Sequence, residues 1–260
     1  MRIIKYSLIA LALVGCDKND DDKREPLDGN DWDIVIPTSS NKPGIGNTEG
    51  LPIGTPWHPP QGIELVDRPN KPFDSNTELL YGSLNTFYAD VNFVNHTEDT
   101  LSVEIPSGLI FIFKHEGRTQ DGLLTSPLKV KVPPTFSAII RDTTTIYVGL
   151  GCLNYTKAFP WEENQEEDTK DYPIGKDMYK PYVVTTDENL LRLLDIVGDF
   201  PNLALTEHYN PQEMFDDNYE VPKWQEIYAI IQNALWQITD GPGLLLKDYR
   251  ELLEALEPYR

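Results

Sequence analysis

The longest helical pattern in the chain runs from Val221 to Gly241, VPKWQEIYAIIQNALWQITDG. At about 100° per residue, Trp224, Ile227, Tyr228, Ile231, Ala234, Leu235 and Ile238 share one broad apolar face. Gln225, Glu226, Asn233 and Gln237 share the other, and Gln232 and Trp236 fall on the border, one turn apart. Pro222 suits a first helical turn, where its missing N–H would be unpaired anyway, and Gly241-Pro242-Gly243 stops the helix. Two shorter helices are predicted. Asp187 caps one with Leu190, Leu191, Leu194 and Val197 on its inner face, closed by Gly198; Leu244 to Leu256 forms the other, with Leu245, Tyr249, Leu252, Leu253 and Leu256 as its stripe.

Between Leu84 and Cys152 the period is two instead. Phe87, Ala89, Val91 and Phe93 alternate with Tyr88, Asp90 and Asn92. Leu101, Val103 and Ile105 follow, then a turn at Pro106-Ser107-Gly108, then Leu109 to Phe113, apolar throughout and so a strand buried on both faces. Leu128, Val130 and Val132 alternate with Lys129 and Lys131; Ala138 to Ile140 and Thr144 to Val148 are further β-rich runs. Short strands separated by turn signals predict a mainly β, α+β domain over residues 73–260, an antiparallel β-sandwich with the C-terminal helices packed on it.

Residues 16–72 read differently. Nine prolines, Pro26, Pro37, Pro43, Pro52, Pro56, Pro59, Pro60, Pro69 and Pro72, lie among Gly, Asn, Asp and Ser, which predicts an extended tether with at most local docking of Trp32, Ile34 and Ile36. Residues 1–15 have the form of a signal peptide: Arg2 and Lys5, then an apolar run from Leu8 to Val14, shorter than the ~20 residues that a spanning helix needs. Leu13-Val14-Gly15-Cys16 resembles a bacterial lipobox, which implies cleavage before Cys16 and acylation of that cysteine with palmitate-type chains. The acidic run Asp17 to Lys23 resembles the surface-export signal of Bacteroidetes lipoproteins, which implies an outer-membrane protein anchored through Cys16 and facing the cell surface.

Charge and cysteine usage narrow the partners. Removing residues 1–15 takes away Arg2 and Lys5 and moves the formal charge from −20 to −22. So acidic a chain is repelled by polyanions, which excludes nucleic-acid binding. The only cysteine besides Cys16 is Cys152, so once Cys16 is acylated no intrachain disulfide can form.

Cys152 closes a hydrophobic strand in Gly149-Leu150-Gly151-Cys152-Leu153-Asn154, and Gln232 opens Gln232-Asn233-Ala234-Leu235-Trp236 on the long helix. Together these resemble the thioester domains of bacterial surface adhesins, in which a strand-end cysteine meets the glutamine of a Gln-x-Ala-Ile-Trp motif. Here Gly151 precedes the cysteine in place of an aromatic or Leu, Ile231 precedes the glutamine in place of Thr, and Leu235 replaces the helical Ile. The resemblance implies an internal Cys152–Gln232 thioester that a nucleophile on a host surface opens, giving covalent adhesion without enzymatic turnover. Such chemistry needs the thiol and carboxamide in contact and shielded from water. Tyr228 and Trp236, one turn either side of Gln232, are the expected walls.

Other readings rest on other residues. A cysteine hydrolase requires a histidine beside Cys152, and His96, His115 and His208 stand in no recognisable signature. No spacing suits a metal or cofactor, including the acidic stretch Trp161 to Lys170 and the lone His58. The alternative to a thioester is a non-covalent accessory lipoprotein that binds a glycan or protein through aromatics such as Tyr155, Trp161, Tyr172, Tyr182 and Trp236.

Overall fold

The structure is a computed structural model that describes residues 28–67, 80–82, 87–114, 119–136, 143–158, 174–175, 177–204, 220 and 223–260. In chain order the strands are β1 (Ile34–Pro37), β2 (Gly54–Pro56), β3 (Ile63–Leu65), β4 (Leu80–Tyr81), β5 (Phe87–Asn95), β6 (Leu101–Ile105), β7 (Leu109–Phe113), β8 (Gly122–Leu123), β9 (Leu128–Val132), β10 (Thr144–Cys152), β11 (Ile174–Gly175) and β12 (Tyr179–Thr185). Then come α1 (Glu188–Gly198), α2 (Lys223–Thr239), β13 (Gly243–Leu245) and α3 (Leu246–Leu256).

The period-two pattern sorts the side chains of one large sheet onto two faces. Its order is β11-β5-β10-β8-β7-β12-β2, with β3 added to β5 and β4 to β10. Most pairs are antiparallel; β4 with β10 and β11 with β5 are parallel. Phe87, Ala89, Val91 and Phe93 of β5, Leu109 and Phe111 of β7, and Ile146, Val148, Leu150 and Cys152 of β10 point to one face. There they meet Val103, Ile105, Leu128, Val130 and Val132 of a separate antiparallel ribbon, β6–β9, whose Glu104, Lys129 and Lys131 face outward. Tyr88, Ile110, Ile112, Tyr147, Leu153 and Val183 point to the other face and are covered by the helices. The domain is therefore mainly β with C-terminal helices, as the periodicity predicts.

The face of α2 agrees with the pattern, while α1 and α3 depart from it, Leu246 being buried in α3 in place of the expected Leu245. Tyr228, Ile231, Ala234, Leu235 and Ile238 of α2 are buried, and Glu226 and Asn233 are exposed. Asp187 caps α1, its carboxylate accepting from the N–H groups of Asn189 and Leu190. The buried set of α1 is Leu190, Leu193, Leu194 and Val197; Leu191 faces outward, because an a/d-type stripe beginning at Leu190 passes through 193 and 194 rather than 191. The last helix starts at Leu246 rather than Leu244, because Leu244 and Leu245 are drawn into β13. Pro222, Ala138 to Ile140 and Trp161 to Lys170 lie outside the described residues. Among the described residues no helix is long and apolar enough to cross a membrane.

The larger correction concerns residues 28–67, expected within the extended tether. They contribute three strands: β1 pairs with β13, β2 with β12 and β3 with β5. Ile36 and Ile45 are buried in the helix-side core, and Trp57 packs against the ribbon-side core. The prolines are compatible because the strands they join are short and lie at edges, where a missing N–H costs no ladder bond. Ser39 N–H donates to the Ile238 carbonyl, and Ser39 Oγ to Asp187, so the segment is also stitched to α2 and α1.

Candidate functional site

Cys152 is the last residue of β10, and its position there determines what its backbone can bond. Successive strand residues aim their N–H and C=O groups to alternate sides. Leu153 N–H donates to the Asp121 carbonyl on the β8 side, so the main-chain groups of Cys152 face the β5 side. Pairing with β5 has already ended there, at Leu150 opposite Phe87. The side chain of Gln232 takes the vacant edge. Cys152 N–H donates to Gln232 Oε1 at 2.8 Å, and Gln232 Nε2 donates to the Cys152 carbonyl at 3.0 Å. The strand-end cysteine and the helix glutamine are thus in direct contact, with Cys152 0% and Gln232 4% exposed.

This two-point contact has chemical consequences. The carboxamide lies in the hydrogen-bonding plane of the strand, while the Cys152 side chain leaves that plane, as Cβ atoms do in a pleated strand. The thiol therefore leaves to one side of the carboxamide plane, and a nucleophile adds to a carbonyl carbon from such a side. The Cys152 N–H is already bonded to the oxygen that would gain charge on such an addition, the role of an oxyanion donor. The thiol, however, is held in its neutral form. Burial pushes its pKa well above the usual cysteine value, and the charge of Asp240 adds to that. Attack as a preformed thiolate is disfavoured, so the thiol proton must move as the bond forms.

The residues after Cys152 are fixed by the N-terminal segment. Asn154 is fully buried; its Nδ2 donates to the carbonyls of Gly44 and Gly46, and its Oδ1 accepts from Asp121 N–H. Gly46 N–H donates to the Leu153 carbonyl. Gly46 adopts φ +58°, and a Cβ there would stand 2.1 Å from the Thr239 carbonyl oxygen, so only glycine lets this turn meet the end of α2.

The walls differ from expectation in one respect. Tyr228 is buried, but its hydroxyl donates to the Ala204 carbonyl and its ring belongs to the helix-side core. Trp236 is half-buried and packs against the core that holds Cys152. Tyr155, more than half exposed, stands edge-on to Trp236 with ring centroids 4.9 Å apart. Sequence reasoning missed Asp240, one turn beyond Trp236. Its Oδ2 accepts from Thr239 Oγ1 at 2.7 Å and from Tyr155 N–H at 3.2 Å. Its Oδ1 and Trp236 Nε1 are buried without a partner among the described residues. The i, i+4, i+8 spacing of Gln232, Trp236 and Asp240 was the signal available for it.

Of the other candidates, Trp161, Tyr172, His115, His208 and the expected lipidation site Cys16 lie outside the described residues. Tyr182 is half-buried against the helix-side core, and His96 bonds to Glu64 at the surface, away from Cys152. Among the described residues no group of His, Cys, Asp and Glu has a metal-binding arrangement. The fold and site define a helix-covered β domain with a buried Cys–Gln pair at its centre. No protein-family profile, curated protein or solved structure matches the chain.

Proposed function

We propose that this protein is a lipid-anchored cell-surface adhesin whose Cys152 and Gln232 close an internal thioester for covalent attachment. The observation that carries the reading is the paired hydrogen bond between the Gln232 carboxamide and the Cys152 main chain. Two residues 80 apart in sequence, both buried, meet with the Gln232 carboxamide bonded to the cysteine's own main chain. In closure, Sγ bonds to Cδ, the Cδ–Nε2 bond breaks, and the thiol proton leaves with the nitrogen as ammonia. In opening, an external nucleophile bonds to Cδ, the Sγ–Cδ bond breaks, and the sulfur takes a proton from the nucleophile.

Opening changes what the cradle holds. A primary amine leaves a secondary amide whose oxygen still accepts from Cys152 N–H, while its N–H, anti to that oxygen in the trans form, turns away from the Cys152 carbonyl. Water leaves a carboxylate, which at neutral pH has no donor for that carbonyl and is repelled by it. The anchor at Cys16 and the acidic stretch after it support placement at the outer-membrane surface, where a covalent bond to a host or neighbouring surface would be made.

Intact mass of the full-length protein tests the reading. The expected result is a deficit of one ammonia, absent from Cys152→Ala and cancelled by methylamine. A full mass with a titrating thiol after unfolding would reject it. The non-covalent alternative has its own support in a separate cavity of about 360 Å³, lined by residues including Tyr81, Leu128, Lys129, Phe200 and Leu203, within the size range of small-ligand sites. Glycan or protein binding that survives Cys152→Ala unchanged would favour it.

A further inference from the structure

The neutral, buried thiol leaves the closure reaction without an assigned proton acceptor. We propose that Asp240, through Oδ1, accepts the Cys152 thiol proton as the Sγ–Cδ bond forms, directly or through one water, and delivers it to the departing Gln232 nitrogen. This rests on the thioester reading and names the group that handles its proton.

Three observations carry it. Asp240 continues the Gln232–Trp236 stripe on α2 and is tied to the loop that follows Cys152, because Tyr155 N–H donates to its Oδ2. Both of its described donors, Thr239 Oγ1 and Tyr155 N–H, use Oδ2, so the carboxylate is oriented while Oδ1 stays buried and unpartnered among the described residues. A purely structural carboxylate would have no reason to hold a desolvated oxygen in reserve. Third, the Asp240 charge acts on Cys152. Burial also raises the Asp240 pKa above the ordinary aspartate value, against the opposing pull of Thr239, Tyr155 N–H and Lys157, which strengthens the group as a base.

Among the described residues, Asp240 bonds the Thr239 hydroxyl and the Tyr155 N–H and interacts electrostatically with the Lys157 ammonium and the Cys152 thiol. Asp240→Asn keeps an oxygen for the two Oδ2 donors and cannot take a proton. The variant separates two roles by sign. If Asp240 is only a repulsive neighbour of Cys152, its neutralisation eases thiolate formation and speeds closure. If it is the base, closure slows by at least ~100-fold, the usual worth of general-base assistance.

The experiment opens full-length protein with methylamine, removes the amine and follows re-closure by intact mass from pH 4 to 8. In wild type the rate should rise as Asp240 deprotonates. In Thr239→Val, which removes a donor that stabilises the charged form, the rise should move to higher pH even if Asp240→Asn does not fold. Equal or faster closure in Asp240→Asn, or an unshifted profile in Thr239→Val, overturns the role of Asp240 and leaves the thioester standing. A wild-type chain that never shows the ammonia deficit overturns both.

Discussion

Stability measurements on two variants separate a bonded from an unbonded Cys152–Gln232 pair, and the magnitudes follow from the structure. Gln232→Met keeps the length of the side chain and removes both hydrogen bonds. The Cys152 N–H and carbonyl are then left buried without partners, at about 1–3 kcal/mol each, so the loss is roughly 2–5 kcal/mol after some apolar gain. Cys152→Ala leaves those main-chain groups paired and removes one buried sulfur, for about 1–2 kcal/mol. That asymmetry is the signature of the unbonded pair. A thioester adds a crosslink between residues 80 apart. By loop-closure entropy such a crosslink contributes about 4–5 kcal/mol, and either variant loses it. With the bond, Cys152→Ala should therefore cost about 5–7 kcal/mol, and the double variant should cost far less than the sum of the singles. For a chain of this size that is a fall in Tm of ~10–20 °C, against only a few degrees without the bond. The assay is urea or thermal unfolding of full-length variants, with intact mass recorded on each sample. A Gln232→Met change within about 0.5 kcal/mol of wild type would refute the reasoning, because the paired hydrogen bonds would then have no energetic content.

Further outcomes follow from the same structure. Gln232→Glu should be destabilised at pH 7 and recover in acid: only the protonated carboxyl can donate to the Cys152 carbonyl, so its folded pKa lies above the unfolded value of about 4.3. The recovered stability is fully present below that unfolded value and is lost, by about 1.4 kcal/mol per pH unit, as pH rises toward the folded one; equal pH dependence in variant and wild type would contradict this. Gly46→Ala should cost about 2–4 kcal/mol by denaturant titration, since the new Cβ would be forced against the Thr239 carbonyl at a positive φ. Asp187→Ala should cost about 1–2 kcal/mol, because it uncaps α1 and removes the acceptor of the Ser39 hydroxyl. Cys16→Ala should abolish globomycin-sensitive processing and detergent-phase partition while leaving the circular dichroism unchanged; unaltered processing would remove the lipid anchor from the proposal.

What was legible in the sequence divides along physical lines. Periodicity shows which face of an element is apolar, and for β7, β9 and α2 the burial follows the pattern closely, whereas β5 is buried on both faces, Tyr88 and Asn92 included. Leu191 was misplaced because helix positions 190, 191 and 194 fit one stripe nearly as well as 190, 193 and 194; only the neighbour decides between them. The N-terminal strands were illegible for a different reason. Gly54–Pro56 and Ile63–Leu65 are three residues each, too short for any period, and their pairing partners, β12 and β5, lie far along the chain. Proline density disfavours regular local structure and says nothing about long-range pairing. At the site, the Cys152–Gln232 contact was visible because a motif carried it. Asp240 belonged to no motif, and its standing depends on which of its oxygens are bonded, a fact that exists only in three dimensions.

The packing of residues 28–67 changes how the site must be understood. Gly46 and Gly44 accept both amide protons of Asn154, and Gly46 lies against Thr239 and Asp240 at the end of α2. One turn of the segment expected to be a tether therefore grips both halves of the Cys–Gln pair, the strand end through Asn154 and the helix end through Thr239. Without it, β10 and α2 would still share an apolar contact, but apolar contacts do not set a rotation to the tolerance of a two-point hydrogen bond. The segment thus supplies the directional bonds that hold Gln232 in register with Cys152. It follows that truncation at residue 72, the boundary that composition suggests, would remove β1, β2 and β3 together with this clamp. Such a fragment should lose closure of the pair before it loses its β-sheet circular dichroism, whereas truncation at residue 27 should leave both intact. Limited proteolysis points the same way: fragments that remain associated after cleavage should include residues 28–67, and release of that stretch from a still-folded remainder would show that the clamp is dispensable.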